Sequence, residues 1–126
     1  MDLFSAIHAE VNASMSYRRD VVDEWRTDCP AEGDCEDFAL CYASKLQERG
    51  VSLDRMALSI CIDRNGRTHA QLLVDGMVLD QQKAAPVTIQ EDDCVPQLLC
   101  PLNGSGPKAW TKCQGASAAL KALPAD

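Results

Sequence analysis

Apolar residues at Phe4, Ile7 and Val11 recur at the spacing of one helix face, so residues 2–13 read as an amphipathic helix. Residues 18–25 follow as a second short helix or an irregular turn, and residues 27–33 as a loop. Helical spacing returns at Cys35, Phe38/Ala39, Tyr42 and Leu46, which share one stripe, while Lys45 and Glu48 point elsewhere. Asp34 is suited to the N-cap of this helix and Asp37 to the third position of a capping box. Gly50, after Glu48 and Arg49, takes the left-handed position that ends it.

Beyond Asp54 the period shortens to that of strands. Residues 56–63 run into Arg64-Asn65-Gly66-Arg67, residues 68–74 lead to a second turn at Asp75-Gly76, and residues 77–80 open a third strand. Residues 87–90 add a short edge strand, and the Pro-, Gly- and Cys-rich tail has no assigned structure. Read as a two-residue turn, Asn65-Gly66 sets Ile62 opposite His69, Ile60 opposite Gln71 and Leu58 opposite Leu73. Those six side chains then share one face. A two-residue turn at Asp75-Gly76 sets Leu73 opposite Val78 and Gln71 opposite Asp80, which puts Asp80 diagonal to His69. The apolar part of this face needs a cover, and the helix beginning at Cys35 has the matching stripe.

The chain of 126 residues fits a single domain, 1–126, with one core. A net charge of −7 with dispersed basic residues argues against a nucleic-acid partner. No stretch approaches the roughly 20 apolar residues of a membrane span. The first residues lack a basic region and a long apolar run, so the expected compartment is the cytoplasm of a bacterium, or a phage-encoded setting; removal of a signal would make it periplasmic. Seven cysteines are many for this length; without a signal they read as mostly reduced, with any bridge placed in the 94–113 tail. The absence of C-x-x-C and the presence of two histidines argue against structural zinc.

Cys35 carries the chemistry. A cysteine at a helix N-terminus meets unpaired N–H groups and the positive end of the macrodipole, and both favour thiolate. The thiolate attacks a carbonyl, and the same N–H groups hold the oxyanion. Packing the Cys35 helix on the sheet brings thiol, His69 and Asp80 together as nucleophile, base and orienting acid. Trp25 and Asn12 are candidates to supplement the oxyanion site. Asp34 and Asp37 also have a purely structural reading as caps, and His8 reads as a surface residue of the first helix.

The chain resembles the bacterial transglutaminase-like cysteine proteinases, a papain-like family that includes periplasmic proteases releasing biofilm adhesins. The matching pieces are Asn12-x-x-Met15-x-Tyr17-x-x-Asp20, Trp25, Gly33-Asp34-Cys35-Glu36-Asp37-Phe38-Ala39, Gly50, His69-Ala70 and Val78-Leu79-Asp80. The resemblance implies Cys35 as nucleophile, His69 as general base and acid, and Asp80 as its orienting partner. It also implies calcium at Asp34 and Glu36, with Asp37 adjacent, although three neighbouring carboxylates supply only part of a shell of about six to eight oxygens. Gln81 stands where the family usually has Asn, and the Trp25–Cys35 spacing is compressed.

The expected fold is α+β, papain-like or transglutaminase-like, with a nucleophile helix on a small antiparallel sheet. The expected function is a cysteine peptidase that cleaves a protein or peptide substrate through a thioacyl-enzyme and requires no cofactor. The alternatives are a transamidase on the same site and a non-catalytic, calcium-responsive binding domain on the same scaffold.

Overall fold

The computed structural model describes residues 2–18 and 29–102. The expected element at 18–25 falls almost entirely outside these residues, as do Asp20 and Trp25. Helix α1 (Leu3–Ser14) starts at Asp2, whose carboxylate accepts the Ser5 N–H at 2.8 Å. Its inner face carries Ile7, His8 and Val11, so the surface placement expected for His8 is corrected: the ring is buried, 3% exposed. Two short strands, β1 (Ser16–Tyr17) and β2 (Glu32–Gly33), then pair in parallel. They fasten the segment leading into the next helix to the segment leaving α1.

Helix α2 (Cys35–Glu48) has the predicted limits. Asp34 caps it, and Asp34 and Asp37 form the reciprocal capping box. At its far end the N–H of Gly50 bonds to Gln47 and that of Val51 to Leu46, a Schellman ending that requires the positive φ of Gly50. Phe38, Tyr42 and Leu46 lie in the core as predicted, and Leu40, Cys41 and Ala43 are buried as well, so α2 is enclosed well beyond a single stripe. No helix among the described residues is long and apolar enough to cross a membrane.

A five-stranded antiparallel sheet follows, in the order β6-β5-β4-β3-β7. Its strands are β3 (Met56–Ile62), β4 (Thr68–Val74), β5 (Met77–Leu79), β6 (Val87–Thr88) and β7 (Val95–Pro101). The second turn is as predicted, with Leu73 opposite Val78. The first is not. His69 stands opposite Cys61 and Gln71 opposite Ser59, one residue away from the expected register.

The side chain of Asp63 explains the shift. Its Oδ1 accepts the N–H groups of Asn65 and Arg67, each at 2.9 Å, and its carbonyl accepts the N–H of Gly66. Residues 64–66 thus form a three-residue loop closed by Asp63 and Arg67, with Gly66 at φ 75°. The slip exchanges partners between faces. Met56, Leu58, Ile60, Ala70, Leu72, Val74 and Leu79 join α1 and α2 in one core. Ser59, Cys61, His69, Gln71 and Val78 occupy the opposite face, so the expectation of an apolar face shared by Leu58, Ile60 and His69 is corrected.

The cysteines also depart from expectation. Cys29 is bonded to Cys41 and Cys61 to Cys94, and Cys100 is disulfide-bonded too, so most described thiols are oxidised. The first bridge ties the loop before α2 to the second turn of that helix. The second pins the entry to β7 onto β3, where β7 runs as an edge strand with prolines at 96 and 101.

Candidate active site

Cys35 opens α2, is 7% exposed and belongs to neither bridge. Its Sγ lies 3.5 Å from Glu36 Oε2, to which the thiol donates. The start of the helix is built tightly. Asp37 Oδ2 accepts the Asp34 N–H at 3.1 Å, and Asp34 Oδ1 accepts the Asp37 N–H at 3.4 Å. Gly33 makes room for this box, because a Cβ there would sit 2.6 Å from Asp37 Cβ and 2.7 Å from Asp37 Oδ2.

α2 packs against β4 in the core that Ala70, Leu72 and Val74 share with it, and His69 lies on the other face of that strand. The expectation that packing the helix on the histidine's own face joins Cys35 to His69 is therefore corrected. His69 and Asp80 are brought together: Nε2 donates to Asp80 Oδ1 at 2.7 Å, with the two side chains 4% and 2% exposed. A carboxylate accepts only, so Nε2 carries the proton and Nδ1 is the ring atom left to exchange one.

Asp80 lies just beyond β5 and is held by more than its histidine. Gln82 N–H donates to Oδ1 and Gln71 Nε2 to Oδ2, each at 2.8 Å. Burial pushes the Asp80 carboxyl up, but the hydrogen bond and charge of His69, with the bonds from Gln71 and Gln82, hold it below the usual range. Gln71 also reaches Asp92 at 3.1 Å. Asp92 and Asp93 in turn meet Lys83, which holds the loop before Cys94 against this face.

His8 and Asn12 hold the acid-bearing segment, a role the sequence did not suggest for either. His8 Nε2 contacts the Asp80 carbonyl at 2.8 Å, and its ring stacks on Tyr42 with centroids 5.5 Å apart. Tyr42 donates its hydroxyl to Asn12 Oδ1, while Asn12 Nδ2 points to the Gln81 carbonyl at 3.5 Å. Asn12 is therefore a brace between α1, α2 and the segment after β5. Its spacing of four residues from His8 was the available signal, since such residues share a helix face. Burial pushes the Tyr42 hydroxyl above its ordinary value, and the negative charge of Asp80 adds to this.

The predicted calcium ligands do not converge. Asp34 and Asp37 each give an oxygen to the capping box, and Glu36 Oε2 meets the thiol. Among the described residues no group of three acidic, His or Cys side chains is placed to hold a metal ion.

The fold is that of three solved structures of Legionella pneumophila LapG, one calcium-bound and one EGTA-treated, each with a TM-score of 0.69. Identity is 17–18%; the alignments cover 87–90% of this chain and 76–77% of those chains. Comparison with curated protein sequences finds no match. At the level of sequence, residues 1–93 match the bacterial transglutaminase-like cysteine proteinases. That match takes in the capped cysteine helix, the histidine strand and the acid that follows it. With three-quarters of its length so accounted for, the chain belongs to that family of cysteine proteinases, on a papain-like, transglutaminase-like α+β fold.

Proposed function

We propose that this chain is a cysteine peptidase in which Cys35 is the nucleophile, His69 its base and acid, and Asp80 the residue that orients and charges the ring. The observation that carries it is the buried His69–Asp80 hydrogen bond, which commits Nε2 and leaves Nδ1 to serve a thiol. Cys35, at the capped N-terminus of α2, is the described cysteine outside the bridges.

In the proposed reaction the Cys35 proton passes to His69 Nδ1 and the sulfur bonds to the carbonyl carbon of a peptide. N–H groups of the first turn of α2 hold the oxyanion. Collapse breaks the C–N bond, His69 returns the proton to the leaving amine, and a thioester remains on Cys35. Water gives a proton to His69 and its oxygen to the acyl carbon; the C–S bond then breaks, His69 returns the proton to sulfur, and the free acid leaves. Hydrolysis is favoured over transamidation because the family is one of proteinases. A protein or peptide is the substrate class.

Calcium has no step here. Asp34, Glu36 and Asp37 support the helix start, and a calcium-dependent alkylation rate would show that these carboxylates rearrange around the ion. The bridges at Cys29–Cys41 and Cys61–Cys94 support an oxidising compartment, the periplasmic alternative, over the cytoplasmic expectation.

Iodoacetamide labelling with peptide mass mapping tests the site. Cys35 is expected to be modified near neutral pH, His69→Ala to slow that reaction strongly, and Cys29, Cys41, Cys61 and Cys94 to stay unmodified before reduction. Equal rates for wild type and His69→Ala would refute the pairing. Comparing protein termini produced by wild type and Cys35→Ala identifies the substrate.

A further inference from the structure

Asp80 stands where strand pairing ends: Leu72–Leu79 is the last pair of β4 and β5. Its carbonyl is nonetheless fully engaged. The Lys83 N–H donates to it at 3.1 Å, and the His8 ring, from a helix far away in sequence, reaches it at 2.8 Å. A carbonyl accepts only, so His8 Nε2 bears a proton. The ring is buried and stacked on Tyr42, two turns along α2 from Cys35. Four residues on from His8, Asn12 takes the Tyr42 hydroxyl and points its amide at the next carbonyl, that of Gln81.

One helix face thus grips two successive carbonyls of the acid-bearing segment and the ring of a residue on the nucleophile helix. We propose that His8 is a positioning residue for catalysis: its hydrogen bond to the Asp80 carbonyl sets the carboxylate against His69, and its ring ties that setting to α2. The proposal rests on the cysteine-peptidase reading of Cys35, His69 and Asp80.

Without the donor, the main chain at Asp80 turns within the slack left by Lys83 alone. The short bond between Oδ1 and His69 lengthens, and the ring loses the partner that steadies it as it takes the thiol proton. The loss of one neutral hydrogen bond corresponds to a slowing of about three- to tenfold.

The test separates donor from ring. His8→Phe keeps the stacking on Tyr42 and removes the donor; His8→Gln keeps an amide N–H near the position of Nε2 and removes the ring. His8→Phe is expected to melt close to wild type yet alkylate Cys35 about three- to tenfold more slowly. His8→Gln is expected to melt lower yet react within about twofold of wild type. If the rates of both variants follow their melting temperatures, His8 is packing only and the proposal falls.

His69→Ala is measured beside them. If it has no effect, the triad reading itself fails; if it slows alkylation while His8→Phe matches wild type, only the present proposal fails. Long-range 1H–15N spectra of the wild-type protein need no variant to fold: they are expected to show the His8 proton on Nε2, and a ring bare at Nε2 would overturn the proposal.

Discussion

Asp80→Asn tests the site where its hydrogen bonds leave least freedom. The carboxylate accepts three donors: His69 and Gln82 on Oδ1 and Gln71 on Oδ2. An amide has one acceptor oxygen. If that oxygen faces His69 and Gln82, the new NH2 meets the NH2 of Gln71. Turning the Gln71 amide removes that clash but sets its oxygen against Asp92, to which the nitrogen now donates at 3.1 Å. If the Asn is turned instead, its NH2 faces His69 Nε2 and drives the proton to Nδ1, the atom that accepts from the thiol in the proposed mechanism.

Losing a hydrogen bond to a charged group costs about 1.5–3 kcal/mol, so Cys35 alkylation should slow by about 10- to 150-fold. Stability should fall by about 1–3 kcal/mol for the buried mismatch, or about 3–12 °C in melting temperature. The assay is the second-order rate of iodoacetamide modification at Cys35, read by mass mapping beside a melt. Adding Asp92→Asn gives a turned Gln71 a donor, so the double variant should recover part of the stability. A folded Asp80→Asn protein that reacts within about twofold of wild type would refute the role of the acid. An additive double variant would refute the Gln71–Asp92 coupling.

Further expectations concern the frame around the site. Replacing Cys61 and Cys94 with Ser opens a loop with a sequence separation of 33, worth about 3.7 kcal/mol by chain entropy; denaturant melts that move by less than about 1 kcal/mol would count against it. Gly33→Ala forces Asp37 out of the capping box and should cost about 1–2 kcal/mol in the same assay, with no loss predicted if the box is dispensable. Because the folded carboxyl of Asp80 is held below its ordinary 3.8, its contribution to stability is present above that value and is lost as pH falls through the folded one. Acid melts of Asp80→Asn should therefore depend less steeply on pH than wild type, and identical slopes would show that Asp80 is not the group responsible.

The local elements were legible in the sequence because short-range chemistry decides them. Asp34, Asp37 and Gly50 mark both ends of α2, and helical spacing places Phe38, Tyr42 and Leu46 inside. The Asp75-Gly76 turn permits one register, so Asp80 could be counted to its place beside Gln71 and diagonal to His69. Competition among local groups defeated the other hairpin: Asn65-Gly66 signals a two-residue turn, but the Asp63 carboxylate captures two N–H groups and lengthens it.

Which distant groups meet was beyond the reach of pattern. The bridges, β7 alongside β3, and the grip of His8 and Asn12 on residues 80 and 81 join segments far apart along the chain. Such pairings depend on how α1, α2 and the sheet pack in three dimensions. The sequence alone determined the capped cysteine helix and the spacing of histidine and acid; only the tertiary structure decided what holds the acid in place. Hydrogen bonds act over about 3 Å, whereas sequence spacing specifies neighbours only within one helix or one hairpin.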